Sequence, residues 1–540
     1  MRSLLLAILC LGCLGNCLLA QYDDDFIYGT VIDAKSGKPV IFATIQLKAQ
    51  AKGVITNQDG SFRVPLQFKD TGAVLVVSCL GYDSKEILFS ALEQKANNRI
   101  LIDPQPFQLK EATVVGKPKR PPSARGIVKR AIERISENYP MEPFAYIGYY
   151  RDYQVKKGEY VNLNEALLQI NDFGFHQNDF DQTAVQVLRY HRNDTFERDS
   201  MAQKPYDYAT KQKTIENAFL YNFGGNEFNI LRIHDPIRNN KENTFSYVYR
   251  LQRDLLKNHS VERAPDQSMH GDRMFVIAFE KGKYASDYRV LEGEGIHTAI
   301  RAKGTLYISQ TTYAIHKLEY AVFDHTARQM QKSKQDGSDV KLVFEIAVEY
   351  KPNGDKMYPN YLSLHNVFTL KKKPFYVKEV RFEADKGCFE VTFNKSPILW
   401  IDRIQDNFVM KYKRKRVKIA RVQRTSSAIQ LFPEKTVFQD MVDDLERYGI
   451  AEFLSPKMFA LDFVNILDNQ GNSLGAATPL AFEQFREFFA QELLPAPSEN
   501  KNVPYAMEKS RPMYKSTIPT SFRNTDGYWL NTPLKSKTNP

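Results

Sequence analysis

The chain has 540 residues, of which 43% are hydrophobic and 12% aromatic, and its 74 Lys and Arg exceed its 63 Asp and Glu to give a net charge of +11. This composition is ordinary for a globular protein, provides material for two or three domains, and favours β-rich structure because aromatics are abundant. Beyond the N-terminus, no segment approaches the roughly 20 consecutive apolar residues of a membrane-spanning helix, which excludes a helical membrane protein.

The N-terminus has the pattern of a secretory signal peptide, which we assign to residues 1–20. Arg2 supplies a positive charge, and residues 4–14 form an apolar stretch too short to span a bilayer comfortably. The small residue Ala20 suits the position before a cleavage site. A lipoprotein modified at Cys17 is the alternative, although the preceding Asn is a poor match to the small residue required there.

Export changes the interpretation of the cysteines and of the charge. Three of the five cysteines lie in the signal peptide, which leaves only Cys79 and Cys388, so the chain has no disulfide framework and we expect two buried thiols. A positive net charge would suggest nucleic acid in a cytosolic protein. An exported protein rarely meets nucleic acid, so an anionic membrane surface or polymer is the better candidate.

Residues 26–116 have the pattern of a β-sandwich. Short strands recur at intervals of about 8 to 12 residues with turn signals between them, and the last is expected at 111–115. Within this unit, residues 52–66 predict a hairpin of two β-strands. Asn57, Asp59 and Gly60 occupy its turn, and Gly60 is expected to adopt a positive φ.

Five motifs in this unit occur in an order that resembles the carboxypeptidase regulatory-like domain, which has a transthyretin-like sandwich fold. They are G29-x-V-x-D33, G37-x-P39, A43-x-I45-x-L47, G53-x-x-T56-N57-x-D59-G60-x-F62 and S78-C-L-G81-Y82. The structural motif residues are Gly53, Thr56, Asn57, Asp59, Gly60, Phe62, Gly81 and Tyr82. Bacterial members often begin envelope proteins, including TonB-dependent receptors. The resemblance implies a scaffold or docking role and no peptidase activity.

A proline-containing linker at residues 117–122 leads to a larger domain, which we assign to residues 123–400. Ser123 is suited to cap a helix that continues to about residue 138. Residues 144–170 predict a long hairpin that turns at 156–158. Apolar and charged residues alternate over 341–350, which is typical of an antiparallel sheet with one solvated face. The predicted fold is mainly β with some helix: a transthyretin-like β-sandwich followed by a larger antiparallel β-sheet (α+β) domain.

Residues 401–494 predict a basic and helical C-terminal region. Eight of the fourteen residues from Lys411 to Arg424 are basic, and their alternation with apolar residues favours a strand with a charged face over a binding patch, which stays open. One helix is expected over 436–449 and another from Thr478. Residues 495–540 are polar and proline-rich, so we expect a disordered tail without a core.

One constellation could support catalysis. His259-x-x-Glu262 and the distant His365 resemble the ligand set of zinc carboxypeptidases, which leaves a coordination position open for water. The surrounding residues lack the rest of that family's pattern, and a strand would point His259 and Glu262 to opposite faces. We therefore expect no catalytic, cofactor-binding or metal site and no cofactor.

The sequence favours a non-enzymatic scaffold or binding protein in the periplasm of a Gram-negative bacterium, associated with the outer membrane, whose sandwich serves in docking. Its partner would be an envelope protein, a glycan or a lipid, with an anionic membrane surface as the candidate for residues 411–424 and no role for nucleic acid. A zinc-dependent hydrolase and a lipid or glycan carrier are the alternatives.

Overall fold

The computed structural model describes most of the chain, in segments separated by short gaps. The described residues are 25–48, 52–104, 122–215, 220–242, 251–252, 255–269, 272–288, 296–324, 341–371, 374–399, 401–425, 428–469, 471–477, 479–496, 503–519, 525 and 527–533. The signal peptide, the strand expected at 111–115 and nearly all of the linker lie outside the described residues and stay predictions.

Residues 26–102 form the expected β-sandwich. Its strands are β1 (Phe26–Asp33), β2 (Thr44–Leu47), β3 (Gly53–Ile55), β4 (Ser61–Pro65), β5 (Val74–Ser78), β6 (Lys85–Leu88) and β7 (Asn97–Ile102). One sheet has the order β4-β1-β7 and the other the order β3-β2-β5-β6. Alternate residues of both sheets, including Val31, Ile45 and Val77, are buried in one apolar core.

The hairpin predicted within residues 52–66 is wrong. β3 pairs with β2 in one sheet, whereas β4 pairs with β1 in the other, so the chain crosses between sheets at the turn. This crossing lets Val54 and Val64 enter the common core from opposite sheets, and both are fully buried. The positive φ expected at Gly60 is confirmed, at +73°.

A second, eleven-stranded sheet forms most of the remaining structure. Its strands are β8 (Phe144–Lys156), β9 (Glu159–Asp172), β10 (Ala184–Arg192), β11 (Lys213–Thr214), β12 (Ser260–Met269), β13 (Asp272–Tyr288), β14 (Ile296–Ser309), β15 (Ile315–Asp324), β16 (Leu342–Asn353), β17 (Lys356–Leu370) and β27 (Leu480–Leu494). The order is β10-β9-β8-β27-β17-β16-β15-β14-β13-β12, with β11 paired to β17. The hairpin expected within 144–170 is confirmed, since β8 pairs with β9 and Lys156 lies opposite Glu159.

β27 replaces the helix expected from Thr478. The strand lies between β8 and β17 in the middle of the sheet, where both of its faces are covered. Phe482 and Phe488 are buried on one face and Phe485 and Phe489 on the other. A strand buried on both faces loses the apolar-polar alternation that marks a strand, so its sequence pattern does not distinguish it from a buried helix.

In the described residues, helices are few and mostly short. They are α1 (Ala124–Glu133), α2 (Ile135–Asn138), α3 (Asp179–Gln182), α4 (Glu227–Ile233), α5 (Leu255–Asn258) and α6 (Lys435–Phe453), with 3-10 helices at Leu66–Thr71, Phe89–Ala91, Phe223–Gly225, Ile401–Asn407 and Met513–Lys515. The predicted cap of α1 is confirmed: Ser123 Oγ accepts a hydrogen bond of 3.1 Å from the amide of Gly126. α1 packs against β12, β13 and β14, and α4 packs against β8.

Leu370–Leu480 form a compact unit of their own, inserted in the chain between β17 and β27. The unit contains α6 and strands β18 (Val377–Glu383), β19 (Cys388–Phe393), β20 (Pro397–Ile398), β21 (Phe408–Tyr412), β22 (Lys415–Val417), β23 (Ile419–Arg424), β24 (Ile429–Pro433), β25 (Phe459–Phe463) and β26 (Leu467–Asp468). Its sheets have the orders β18-β19-β24-β23, β22-β21-β25 and β20-β26. The domain boundary expected at residue 400 falls inside this unit. α6 begins one residue before the predicted 436 and continues past 449, where Gly449 interrupts it with a φ of +76°.

The region 495–540 also differs from the expected tail without a core. Among its described residues, Met507, Met513, Trp529, Leu530 and Asn531 are buried. Trp529 belongs to the apolar core of the β-sandwich. A few separated apolar residues give no periodic signal, yet each of them fills a place in a core built by other segments.

Candidate functional site

The centre of the large sheet carries two adjacent buried charges. Arg486 and Glu487 follow each other on β27, so their side chains point to opposite faces of the sheet. Their exposed fractions are 0% and 2%. Taking an ion out of water costs several kcal/mol unless it is paired and hydrogen-bonded. The ion pairs and hydrogen bonds of these two residues therefore indicate the role of each face of the sheet.

Glu487 is paired with Arg151 on the face that the β-sandwich covers. The two residues lie opposite each other on the antiparallel strands β27 and β8, and Arg151 Nε donates to Glu487 Oε2. Tyr153 donates to Glu487 Oε1 at 2.9 Å, and Gln58 of the sandwich donates to the same oxygen at 3.3 Å. Burial alone would lower the pKa of Arg151, but the neighbouring Glu487 carboxylate reverses this and raises that pKa well above its usual value.

The turn of the sandwich lies directly on this ion pair. Asn57 Oδ1 accepts a hydrogen bond from Arg151 Nη1, and Asn57 Nδ2 donates to Ser61 Oγ at 2.8 Å within the turn. Asn57 is 1% exposed. The sequence predicted Asn57 as a turn residue only. Its partner lies 94 positions away, and no local pattern connects the two.

Residues 527–533, which we name the C-terminal segment, complete the same contact. Asn531 Oδ1 accepts from the backbone amide of Arg63 at 2.9 Å, and Asn531 Nδ2 donates to the carbonyl of Ile55 at 2.7 Å. Trp529 Nε1 donates to the carbonyl of Arg63 at 2.9 Å. Arg63 belongs to the edge strand β4, so side chains of the C-terminal segment satisfy backbone groups that a neighbouring strand would otherwise pair.

The C-terminal segment also bonds to the large sheet. Arg151 Nη1 donates to the carbonyl of Asn531 at 3.1 Å, and Gln491 Nε2 donates to the carbonyl of Trp529 at 3.1 Å. Thr532 Oγ1 donates to the Glu165 carboxylate at 2.9 Å. We name this contact between the sandwich, the sheet and the C-terminal segment the seam. Its buried polar groups fix the sandwich in one register on the sheet.

Arg486 organises the opposite face. Its guanidinium donates to Glu227, to Asn366 Oδ1 at 2.7 Å and to the Tyr206 hydroxyl at 2.9 Å. Asp152 lies opposite Arg486 in the strand register. Burial, with a smaller contribution from Glu227, raises the pKa of Asp152 to about 7. A shift of this size occurs at functional sites and also in buried structural networks.

Lys213 lies near this cluster and is also buried. Burial lowers the pKa of Lys213 to about 8. Its ammonium group donates to the carbonyl oxygens of Ala202 at 2.7 Å and Lys204 at 2.9 Å. These contacts are internal to the chain, so the cluster acts as a polar layer within the core.

The three candidate zinc ligands are not brought together. His259 Nδ1 lies 3.1 Å from the carbonyl of Leu255 and Nε2 lies 3.0 Å from the Tyr320 hydroxyl, and burial lowers the pKa of His259 to about 4. Glu262 lies on β12 and His365 on β17, five strands along the sheet, or about 24 Å at the usual strand spacing. His365 contacts Glu345 at 3.0 Å instead. In the part of the chain that the structure describes, no group of three or more His, Cys, Asp or Glu could hold a metal ion.

The structural motif residues have local roles in the sandwich. Thr56 Oγ1 donates to the carbonyl of Val40 at 2.8 Å and accepts from the amide of Ala43, while the Asp59 carboxylate accepts from the amide of Ser61. The Tyr82 hydroxyl donates to Asp33 at 2.8 Å. Three further residues contribute through conformation or packing: Gly53, where a Cβ would lie 2.3 Å from a carbonyl oxygen, Gly81, with a φ of +83°, and Phe62, buried in the core.

The basic run at 411–424 covers the end of β21, then β22 and β23 and the turns between these strands. Val417 and Ile419 are buried, whereas Lys415, Arg416 and Lys418 are exposed, as expected of strands with a charged face. Cys388 is buried and Cys79 half-buried, and both are free thiols. Among the described helices, none is long and apolar enough to cross a membrane.

The sequence model of the CarboxypepD_reg-like domain matches residues 27–114. This part of the chain is therefore a carboxypeptidase regulatory-like domain, and the predicted resemblance is confirmed for it. The further likeness to the domains that precede TonB-dependent receptors stays a prediction. No curated protein matches the chain significantly.

Three solved structures have a partial likeness to the chain. A domain described as an outer membrane lipoprotein-sorting protein from Vibrio parahaemolyticus is 12% identical with a TM-score of 0.19, and the match covers 44% of this chain and 84% of that one. A LolA superfamily protein from Nitrosomonas europaea is 8% identical with a TM-score of 0.20, over 47% and 95%. A DUF1329 family protein from Desulfovibrio piger is 6% identical with a TM-score of 0.18, over 45% and 86%. TM-scores this low do not establish a shared fold.

Proposed function

We propose that the protein is a non-enzymatic binding protein of the Gram-negative envelope, in which the regulatory-like domain and the large sheet form a support and residues 370–480 carry the binding surface. The observation that carries the proposal is the seam. Its central charges, Arg151 and Glu487, are buried and paired with each other, and Asn57 of the sandwich closes over them.

The seam supports a structural role for the regulatory-like domain. A docking module for another protein would keep its polar turn exposed, whereas Asn57 is buried against the chain's own sheet. The C-terminal segment reinforces this arrangement by bonding to both parts. The domain therefore docks within its own chain, and another region must make the contacts with partners.

Residues 370–480 are the best candidate for that region. The chain leaves the sheet after β17, builds the inserted unit and returns through β27, which is the neighbour of β17. Segments inserted into a rigid scaffold are favoured places for binding residues, because the scaffold tolerates variation in them. The unit also carries the exposed cations of residues 411–424.

No specific observation favours either alternative function, the zinc-dependent hydrolase or the lipid or glycan carrier. The hydrolase hypothesis requires His259 and His365 to share a metal ion, but His259 Nε2 lies 3.0 Å from the Tyr320 hydroxyl and His365 Nδ1 lies 3.0 Å from Glu345 instead. The carrier hypothesis requires an open sheet face, but Tyr150 of β8 packs edge-on against Phe228 of α4 with ring centroids 5.2 Å apart. We therefore propose neither a catalytic zinc site nor an acyl-chain carrier.

The test is photo-crosslinking in native envelopes of the full chain and of a variant in which residues 370–480 are replaced by a flexible linker. We expect the variant to keep a cooperative melting transition and to lose the crosslinks of the full chain. Crosslinks that survive the replacement would contradict the assignment. Elemental analysis of the full chain provides the second arm, since one zinc per chain that is lost in His259→Ala would favour the hydrolase.

A further inference from the structure

The turn between β21 and β22 concentrates positive charge at the surface of the inserted unit. Lys413, Arg414, Lys415 and Arg416 are all exposed, and the φ angles of Lys413 and Arg414 are +47° and +64°. The Lys413 ammonium lies 2.6 Å from Asp444. Among the residues that the structure describes, no carboxylate lies within ion-pair distance of the other three.

Three large apolar side chains are exposed where α6 ends. The exposed fractions of Tyr448, Ile450 and Leu454 are 51%, 68% and 57%. Gly449 breaks the helix between the first two with a φ of +76°. Leu454 stays close to Ile450, because its amide donates to the carbonyl of Ile450 at 3.0 Å. Clustered exposed apolar groups of this kind mark interaction sites.

The β21–β22 turn contacts both α6 and the segment that follows the helix. The amide of Lys413 donates to the carbonyl of Met458 at 2.7 Å, and the Lys413 side chain reaches Asp444 on α6. The turn is thus fixed between the last turns of α6 and the segment that follows the helix. We name residues 413–416 together with residues 447–457 the basic tip.

The carboxylates around the basic tip are fewer than its cations. Arg447 and Lys457 are exposed and add to the positive charge of the turn. Asp440, Asp443, Glu446 and Glu452 are exposed on α6 and oppose it, and Asp444 pairs with Lys413. The charge of the tip is therefore positive and is centred on the β21–β22 turn.

We infer that the basic tip binds the surface of an anionic phospholipid bilayer. Arg414, Lys415 and Arg416 would contact headgroup phosphates, and Tyr448, Ile450 and Leu454 would enter the interfacial layer below them. The inference rests on the proposed function, since it names the binding surface of residues 370–480. Binding to a bilayer accounts for both the positive charge of the tip and its exposed apolar side chains.

A bilayer fits the tip better than a dissolved polyanion does. An acidic polymer would neutralise the cations but would leave Ile450 and Leu454 in water. A bilayer interface accepts both kinds of group, because amphipathic elements bind there through buried apolar area combined with attraction to anionic lipids. The basic tip presents both apolar side chains and cations at its surface.

The test measures sedimentation of the chain from residue 21 onward with vesicles. Phosphatidylcholine vesicles are compared with vesicles in which one third of the lipid is phosphatidylglycerol. We expect binding to the anionic vesicles at roughly 0.1 M salt and weaker binding at roughly 0.5 M salt, where charges are screened over a few ångströms. Each cation near an anionic surface contributes about a fivefold change in partition, so Arg414→Gln with Arg416→Gln should lower binding at least tenfold.

A second double variant, Ile450→Ser with Leu454→Ser, should also lower binding, including at the higher salt. The matched control is Lys35→Gln with Lys38→Gln, which removes the same charge from an exposed turn of the sandwich and should leave binding unchanged. All substituted side chains are exposed, so folding is expected to persist and is checked by melting.

Three outcomes would overturn the inference. The first is equal binding to neutral and anionic vesicles, and the second is a loss of binding in the sandwich control as large as that in the Arg414→Gln, Arg416→Gln variant. The third is binding that heparin abolishes but that the two Ser substitutions do not weaken. The last would identify a polyanion site. Failure to bind vesicles, combined with crosslinks that depend on residues 370–480, would reject the bilayer while leaving the proposed function intact.

Discussion

Arg151 and Glu487 lie 336 positions apart in the chain and face each other on neighbouring strands in the middle of the large sheet. Both are almost completely buried, and the polar turn of the sandwich closes over them at Asn57. The pair is therefore the point at which three distant parts of the chain, namely β8, β27 and the regulatory-like domain, are brought into register.

Removing one member of this pair should destabilise the protein strongly. Glu487→Gln leaves the Arg151 guanidinium buried without its counter-ion, which typically costs about 3 to 5 kcal/mol. The measurement is the free energy of unfolding in urea, with Glu483→Gln as the control because Glu483 is exposed on the same strand. The double variant Arg151→Met, Glu487→Met should recover part of the loss. Equal effects of Glu487→Gln and Glu483→Gln would show that the pair is dispensable.

The C-terminal segment should stabilise the sandwich, although the segment lies more than 400 residues after the sandwich in the chain. Trp529 is 2% exposed within the sandwich core, so Trp529→Ala should cost about 3 to 5 kcal/mol of unfolding free energy. Tyr514→Ala serves as the control, since Tyr514 is 62% exposed. Hydrogen exchange should show that Trp529→Ala loosens residues 25–104 selectively. Unchanged protection of these residues would contradict the role of Trp529.

Asp152 should make stability depend on pH in a defined direction. Its pKa is raised to about 7 in the folded state, so between about pH 4 and pH 7 the folded chain keeps a proton that the unfolded chain releases. The free energy of unfolding therefore falls as pH rises through this window, by up to about 4 kcal/mol from this group. Asp152→Asn cannot titrate, and its hydrogen bond from Asn164 can persist.

Urea unfolding at a series of pH values tests this expectation. Asp152→Asn should be increasingly more stable than the unmodified chain as pH rises from about 4 to about 8. Asp181→Asn, at an exposed position, should give the profile of the unmodified chain. Parallel profiles for Asp152→Asn and the unmodified chain would mean that Asp152 is not a buried titrating group.

A side chain at position 60 should cost more stability than one at position 37, although the two glycines have the same backbone conformation. A Cβ at Gly60 would lie 2.8 Å from the carbonyl oxygen of Val31, whereas a Cβ at Gly37 would have no atom within 4 Å. Both residues have positive φ, +73° and +71°, so each alanine substitution carries a conformational cost of about 1 to 2 kcal/mol. Thermal melting of the full chain gives the loss of stability in each variant. The amount by which the loss in Gly60→Ala exceeds that in Gly37→Ala measures the contact with Val31. Equal losses would argue that the turn relaxes.

Much of the local structure could be predicted from short patterns. The sandwich followed from alternating strands and five ordered motifs, and the β8–β9 hairpin followed from its turn at 156–158. The Ser123 cap and the positive φ of Gly60 were predicted as well, because caps and tight turns depend on a few neighbouring residues. The candidate site could not be predicted in this way. Asn57 was identified as a turn residue, but nothing in the pattern around it indicates Arg151 as its partner.

The regulatory-like domain, the β-rich character and the helix α1 follow from local patterns, because each depends on residues within one or two turns or strands of each other. Three features depend instead on long-range contacts: residues 480–494 form a central strand, Trp529 completes the sandwich core, and the buried charges of β27 have partners on each face. These features arise from contacts between segments hundreds of residues apart. Their free energy comes from burial and pairing across the fold, which leaves no periodic signal in the chain.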